Sequence, residues 1–243
     1  MKAFILAAGQ GSRLRPFTDN IPKPLLPVGG RPLMEYHLES LRKHGVTEVL
    51  INSSYLAEQV KSFAKKYQND HPEMRLVVTY EPVLLGSAGT LKANNDFFRD
   101  DTSVLVIYGD NLTNIDYDNL VCHHQRLGGI ATVAAWDEPF VESKSMMVAD
   151  ENLRIRQFIE KPKTDQVIVR RSGGGVYLFD SDILRFLESY DEQPLDIGFH
   201  ILPHLISHAR GIYEYPLTTE FLWDIGTPEA YLQAQKMVSN LEL

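Results

Sequence analysis

Three basic residues, Arg13, Arg15 and Lys23, punctuate the stretch ILAAGQGSRLRPFTDNIPKPLLP, residues 5–27. Gly9 and Gly11 precede them, and prolines at 16, 22, 24 and 27 stiffen the segment by fixing φ. A glycine lets backbone amides come close to a phosphate or a base. In a chain of net charge −8, a stiff cationic loop calls for its own anionic ligand, and a polyphosphate fits. Two familiar phosphate loops are excluded. A dinucleotide fingerprint G-x-G-x-x-G would need glycine where Leu14 stands and a helix where the prolines forbid one, and the Walker pattern G-x-x-x-x-G-K-[ST] is absent.

Two acids are placed for a hard cation. Asp110 ends the apolar run SVLVIYGD, where a carboxylate is a poor core residue and a good oxygen ligand. Asp224 stands in WDIGTP, ahead of a helix whose better N-cap is Thr227. Glu160 and Lys161 adjoin in FIEKP at the end of another apolar run.

The elements that must hold these residues alternate. KAFILA reads as a strand buried on both faces, RPLMEYHLESLRKHG as a helix with Pro32 in its first turn and Gly45 closing it, VTEVLIN as a strand, YLAEQVKSFAKKY as a helix. The strand MRLVVTYE, the helix AGTLKANNDFF and the strand SVLVIYGD follow. Such alternation predicts a parallel sheet covered by helices, with ligands outside the carboxyl ends of its strands. Later segments are more mixed: strands in GIATVAAW, SMMVADENLRIRQFIEKP and GGGVYLF, then the helix SDILRFLES. With 243 residues and no low-complexity linker or repeat, a single domain is expected, with a nucleotide-binding half at about 1–115 and a sugar-phosphate-binding half at about 116–243.

Composition narrows the classes. Hydrophobic residues at 44% and charged residues at 23% are those of a globular protein. The acidic balance argues against a nucleic-acid surface. One cysteine, Cys122, fits a reducing compartment. The N-terminal apolar run stops too soon for a signal peptide, and no stretch reaches membrane-spanning length, so a cytoplasmic protein is expected. Cys122 is expected to be a buried small hydrophobe. The adjacent His123 and His124 are expected on the surface. His200, His204 and His208 recur every four residues, but Pro203 interrupts them and no H-E-x-x-H pattern exists, so helix-surface or interface histidines are expected rather than zinc ligands.

LAAGQGSRLRPFT followed by PKPLLPVGGRPL closely resembles the signature of the sugar-1-phosphate nucleotidyltransferases. LLGSAGTL, VIYGDN, FIEKP, GGGVYLFD and WDIGTPEAY follow in that family's order, so the resemblance covers nearly the whole chain. It implies a three-layer α/β/α sandwich on a mixed, mostly parallel, Rossmann-like sheet. It also implies condensation of a nucleoside triphosphate with a sugar 1-phosphate to an NDP-sugar and pyrophosphate, as in bacterial cell-surface polysaccharide synthesis.

The resemblance assigns residues. Arg13 would hold the triphosphate and Lys23 would sit near the α-phosphate. Leu6, Ala7, Ala8, Gly9, Gly11 and Ser12, with Glu81, Gly86 and Ser87 of EPVLLGSAGTL, would bind the nucleotide and its base. Glu160 and Gly175 would receive sugar hydroxyls and Lys161 the sugar phosphate. Asp110 and Asp224 would bind Mg²⁺. Asp110, Arg13, Lys23 and Lys161 are thus the catalytic candidates.

LGSAGTL resembles the LGTAGxL form of mannose- and heptose-1-phosphate guanylyltransferases, which favours GTP. A uridylyltransferase acting on N-acetylmuramic acid 1-phosphate and a phosphocholine cytidylyltransferase are alternatives, and a non-catalytic sensor is a third. Two departures bear on the acceptor: Met146 stands where the family has a glycine, and Gly173 where relatives have an asparagine. Self-association is left open.

Overall fold

The structure of the protein is a computed structural model, in which residues 1–191, 193–208 and 210–238 are described. In chain order the elements are β1 (Lys2–Leu6), β2 (Pro27–Val28), β3 (Arg31–Pro32), α1 (Leu33–Lys43), β4 (Glu48–Ser53), α2 (Ala57–Asp70), β5 (Arg75–Tyr80), α3 (Ser87–Ala93), α4 (Asn95–Phe98), β6 (Ser103–Tyr108) and β7 (Asn111–Thr113). There follow α5 (Tyr117–Leu127), β8 (Ala131–Asp137), β9 (Ser145–Ala149), β10 (Ile155–Glu160), β11 (Arg171–Asp180), α6 (Asp182–Glu188), α7 (Leu202–Ser207), β12 (Ile212–Pro216), β13 (Leu222–Asp224) and α8 (Pro228–Val238). The fold is mixed α/β on a seven-stranded sheet of order β12-β8-β11-β6-β1-β4-β5. No helix among the described residues is long and apolar enough to cross a membrane.

Two compact units result. Among the described residues, the first comprises Met1–Leu84, Ile107–Ile115 and residues 220–238; the second comprises Leu85–Val106 and Asp116–Thr219. The C-terminal segment, expected from its place in the chain to serve the second half, therefore belongs with the opening loop.

In the first unit β1 runs parallel to β4, with Ile5 opposite Ile51, and β4 parallel to β5, with Asn52 opposite Thr79. Ala3, Phe4 and Ile5 are fully buried, as a continuous apolar strand requires. Helix α1 buries Leu33, Met34, His37, Leu38 and Leu41, the stripe that a 3.6-residue period gives. A cluster of Leu14, Leu26, Val28, Leu33, Leu112, Ile225 and Tyr231 lies under the opening loop. Each such buried aliphatic side chain contributes about 1.5–3 kcal/mol. Leu14 is therefore an anchor, and its burial turns the neighbouring Arg13 and Arg15 outward.

In the second unit β8 is antiparallel to β11 and parallel to β12. Strands β9 and β10 form a separate antiparallel ribbon with Glu160 opposite Ser145. The register of β11 slips between Gly173 and Tyr177, where Gly174 and Gly175 adopt φ of 132° and 72°. A bulge of this kind needs residues without Cβ.

Two expectations for α5 are corrected. Cys122 is exposed, not buried, because it falls opposite the stripe of Tyr117, Leu120 and His124 that faces inward. His124 is buried, not on the surface, and its Nδ1 lies 2.8 Å from the Thr132 hydroxyl. His123 is half-buried, with Nε2 2.8 Å from the Glu214 carbonyl. Adjacent residues on this helix diverge, yet both rings find partners because the helix packs on β12 and β8.

Candidate active site

The opening loop is folded, not floppy. Gly11 takes φ +64°, a left-handed conformation that favours glycine, and a Cβ there would stand 2.9 Å from Thr18 Cγ2. Its carbonyl accepts from the Thr18 hydroxyl at 2.8 Å and from the Leu14 N–H at 2.9 Å. Two short 3₁₀ turns, Ser12–Leu14 and Lys23–Leu25, carry the cations. Gly9 differs: a Cβ there would meet nothing within 4 Å, so open space lies beside it.

Lys23 is the buried cation of this loop, at 7% exposure. Its Nζ donates to Asp110 Oδ2 at 2.5 Å and lies 3.7 Å from Asp224 Oδ1. Asp110 follows β6, and Asp224 ends β13, whose pairing with β7 sets Asp224 opposite Asn111. The Ile225 N–H donates to the Asp110 carbonyl at 3.1 Å. A two-strand ribbon thus brings together acids more than a hundred positions apart in the chain. Asp224 also accepts from the Gly226 N–H at 2.7 Å. Burial and the neighbouring Asp110 carboxylate raise its pKa, against the pull of Lys23, the Gly226 N–H and Arg13. Arg13 Nη2 lies 3.2 Å from where a Gly226 Cβ would be, and Asp224 Oδ1 2.7 Å from it, so glycine there keeps both groups unobstructed.

Helix α8 secures the base of this arrangement. The Thr227 hydroxyl accepts from the Ala230 N–H at 3.2 Å, the cap expected of it. Tyr231 OH donates to the Pro27 carbonyl at 2.7 Å, and Gln235 takes the Gly29 N–H at 2.8 Å. The β2–β3 hairpin that follows Lys23 is fixed in this way.

At the strand ends of the same unit, the Ala7 N–H donates to Asn52 Oδ1 at 2.6 Å, and Asn52 Nδ2 donates to Glu81 Oε1 at 2.9 Å. The Leu6 carbonyl accepts from the Gly109 N–H at 2.9 Å. Ala7, Ala8 and Glu81 are buried, while Gly9, Ser12 and Arg13 are exposed.

The second unit holds the other expected residues. Glu160 ends β10 and Lys161 follows it, with the Lys161 N–H donating to the Lys144 carbonyl at 2.7 Å. Lys161 takes φ +49°, in the left-handed region. Its Nζ sits 5.9 Å above the Phe199 ring, a cation–π distance. Glu160 has its pKa pushed up to about 7, first by burial and then by Asp196, with Lys161 opposing. Asp196 in turn accepts from Ser87 Oγ at 2.9 Å and from the Gly198 and Phe199 N–H groups at 2.8 and 3.0 Å. The Ser87 hydroxyl also accepts from the Ile197 N–H at 2.8 Å. Gly86 takes φ +81°, and a Cβ on it would meet the Leu195 carbonyl at 2.3 Å. Gly86 and Ser87 therefore dock the 195–197 segment.

Of the departures, Met146 is fully buried, and its sulfur accepts from the Ile168 N–H at 3.4 Å. A Cβ on Gly173 would stand 3.0 Å from Met147 Sδ, so the methionine side chain takes the room that a longer residue at 173 would need. Among the three spaced histidines, His200 Nδ1 accepts from the Asp196 N–H at 2.8 Å, and the His204 and His208 rings lie 4.2 Å apart. These contacts serve helix packing. Sequence reasoning missed Asn52, Asp196 and Gly198. Asp196 and Gly198 gain meaning only because the string LDIGFH lies next to EKP in space and not in sequence, and Asn52 only because its side chain meets Ala7 and Glu81.

The first unit gathers two carboxylates and two cations from three separate segments, beside open backbone. The donor set suits a hard divalent cation, since oxygen ligands from two aspartates are what Mg²⁺ takes from proteins.

Comparison with known proteins gives one answer. Residues 2–240 match the family described as Nucleotidyl transferase. A UTP–glucose-1-phosphate uridylyltransferase of Synechocystis sp. is 35% identical over 257 residues, which cover 100% of this chain and 64% of that relative. The mannose-1-phosphate guanyltransferases of Debaryomyces hansenii and Saccharomyces cerevisiae are 32% and 31% identical, over 96% and 99% of this chain and 63% and 65% of theirs. The chain thus spans somewhat less than two thirds of the length of these relatives. Among solved structures, a Bacillus anthracis protein in complex with sucrose has a TM-score of 0.87 at 23% identity, over 100% of this chain and 97% of its own. HddC from Yersinia pseudotuberculosis, complexed with GMP-PN, has 0.78 at 22%, over 98% and 99%. Both share the fold.

Proposed function

Because the chain belongs to the nucleotidyl transferase family, we propose that it joins a nucleoside triphosphate, GTP in preference, to a sugar 1-phosphate of the mannose or heptose type. An oxygen of the sugar phosphate attacks the α-phosphorus, the bond from that phosphorus to the bridging oxygen breaks, and pyrophosphate leaves. The products are the NDP-sugar and pyrophosphate. No protein nucleophile and no net proton transfer is needed. The barrier is the approach of two anions, which positioning and charge neutralisation lower.

The observation that carries this reading is Lys23, whose Nζ meets Asp110 at 2.5 Å and Asp224 at 3.7 Å, beside Arg13. Arg13 is exposed beside Asp224 and would meet a triphosphate bound there. Lys23 supplies charge near the α-phosphate once its carboxylate partners engage a cation. Asp110 and Asp224 would hold Mg²⁺, which supplies further neutralisation of the phosphate charge. In the second unit, Lys161 would bind the sugar phosphate. Glu160 would take sugar hydroxyls, with Gly175 leaving room for them.

Guanine is favoured by the Glu81 carboxylate at the strand ends and by the similarity to mannose-1-phosphate guanyltransferases. The 35% identity to a uridylyltransferase of glucose 1-phosphate supports a second reading, UTP with glucose 1-phosphate. The test is a matrix of four nucleoside triphosphates against mannose, heptose, glucose and N-acetylmuramic acid 1-phosphates and phosphocholine, with Mg²⁺, scored by pyrophosphate release. The strongest signal is expected for GTP with a mannose- or heptose-type phosphate. Release with CTP and phosphocholine alone, or with no pair, would overturn the proposal.

A further inference from the structure

Asn52 is the penultimate residue of β4 and is 4% exposed. Its Oδ1 takes the Ala7 N–H at 2.6 Å, and its Nδ2 donates to Glu81 Oε1 at 2.9 Å. Glu81 stands one residue past β5, is 5% exposed, and donates its own N–H to the Ser53 carbonyl at 2.8 Å. One side chain thus ties the ends of three adjacent strands, β1, β4 and β5. The two ends of the amide are not interchangeable. Its oxygen faces a donor and its nitrogen faces a carboxylate; reversed, it would set donor against donor and oxygen against oxygen. A buried carboxylate that accepts a bond on one side has its direction set, and charge-assisted bonds of this kind are the stronger ones.

We infer that Asn52 is the positioning residue for base selection: it holds the Glu81 carboxylate and the Ala7 turn as one rigid edge against which the nucleotide base is read. This rests on the proposed binding of a nucleoside triphosphate at the loop after β1. The direction of selection follows from chemistry. A carboxylate presents acceptors only. The Watson–Crick edge of guanine offers two adjacent donors, N1–H and the 2-amino group, whereas uracil offers one donor between two acceptors. A site built to pair buried polar groups discriminates strongly against a ligand that leaves them unpaired, and only while those groups are held in place.

The test is the ratio of kcat/KM for GTP to that for ITP, which lacks the 2-amino group, and to that for UTP, in wild type, Asn52→Ala and Asn52→Asp. Asn52→Asp keeps the size and the acceptor for Ala7 but turns an acceptor toward Glu81, so it tests the bond rather than the fill. Both ratios are expected to fall about tenfold in each variant, a loss carried by nucleotide KM with kcat little changed. Adding Glu81→Gln to Asn52→Asp restores a donor–acceptor pair of reversed polarity. It is expected to recover nucleotide KM without recovering the preference for guanine. Ratios within about twofold of wild type in both single variants, or a fall in kcat with KM and the ratios unchanged, would overturn the inference. Thermal midpoints separate these outcomes from unfolding. A wild type that releases no pyrophosphate with any triphosphate overturns the enzymatic reading itself, before any variant is compared. A wild type that prefers UTP overturns the guanine assignment, while the role of Asn52 still stands or falls on whether its variants move that preference.

Discussion

Gly198 faces Glu160 so closely that a methyl group on it would stand 2.6 Å from the Glu160 Oε2. The carboxylate cannot move away without cost, since it is half-buried and lies beside Asp196. Gly198→Ala is therefore expected to displace Glu160. KM for the sugar phosphate should rise about tenfold while KM for the nucleotide holds, because only the sugar contacts are misplaced. Steady-state kinetics with each substrate varied in turn checks this; equal effects on both KM values would place Glu160 elsewhere in the reaction.

Glu160 also predicts a pH dependence of stability. Its pKa is about 7 in the folded protein, against an ordinary 4.5. Between those values the folded state holds the proton more tightly than the unfolded chain. The favourable contribution is complete below about pH 4.5 and is lost as pH rises through 7. Glu160→Gln stays neutral throughout, so it should gain on wild type between pH 5 and pH 8, by roughly 1–2 kcal/mol after allowance for partial solvent screening. Urea midpoints at the two pH values measure it. Parallel curves for the two proteins would mean that the carboxylate is not held in so unfavourable a setting.

The opening loop shows what the sequence makes legible. Its glycines, prolines and cations form one contiguous string, and the family follows from motifs of that kind; the direct contact of Lys23 with Asp110 does not, since the two stand 87 positions apart. The strand–helix alternation likewise foretold the parallel strands of the first unit, because continuous apolar runs such as KAFILA read the same in any context. Asn52 carried no such mark. It lies in the apolar run VLIN and acquires its role only when β1, β4 and β5 are set side by side. Asp196 and Gly198 meet Glu160 from 36 and 38 positions along the chain, a proximity that no local pattern encodes. Cys122 and His124 were misplaced for a similar reason. Which residues of α5 turn inward depends on its packing against β8 and β12. The return of Asp224 to the first unit rests on the β7–β13 ribbon, three residues long on each side, too short to read from propensity.

Cys122 supplies a control. It is exposed on α5, so a thiol reagent should modify it in the folded protein without denaturant. Cys122→Ala should leave turnover within about twofold and stability within about 0.5 kcal/mol of wild type, as for surface substitutions that touch no special feature. Resistance to the reagent until unfolding would contradict the orientation of α5. Loss of turnover without loss of fold would give the thiol a role it has not been assigned.

Lys23 offers the sharpest separation of stability from catalysis. It is the cation between Asp110 and Asp224, and it is almost fully buried. Replacing it with methionine leaves two neighbouring carboxylates without their buried partner. Breaking such a pair costs about 3–5 kcal/mol when it is fully buried, and less here because both acids retain some solvent. A hard divalent cation can make up part of the lost charge, so Mg²⁺ should raise the thermal midpoint of Lys23→Met more than that of wild type. Adding Asp110→Asn removes the repulsion and should return much of the stability, making the pair of substitutions strongly non-additive. Turnover should not return: each single variant and the double variant are expected to fall about 10²–10³-fold in kcat, the scale of a lost charge-stabilising group. Midpoints with and without Mg²⁺, measured beside pyrophosphate release, decide it. Additive stabilities would show that Lys23 and Asp110 do not act on each other, and full turnover in Lys23→Met would remove the lysine from the chemistry.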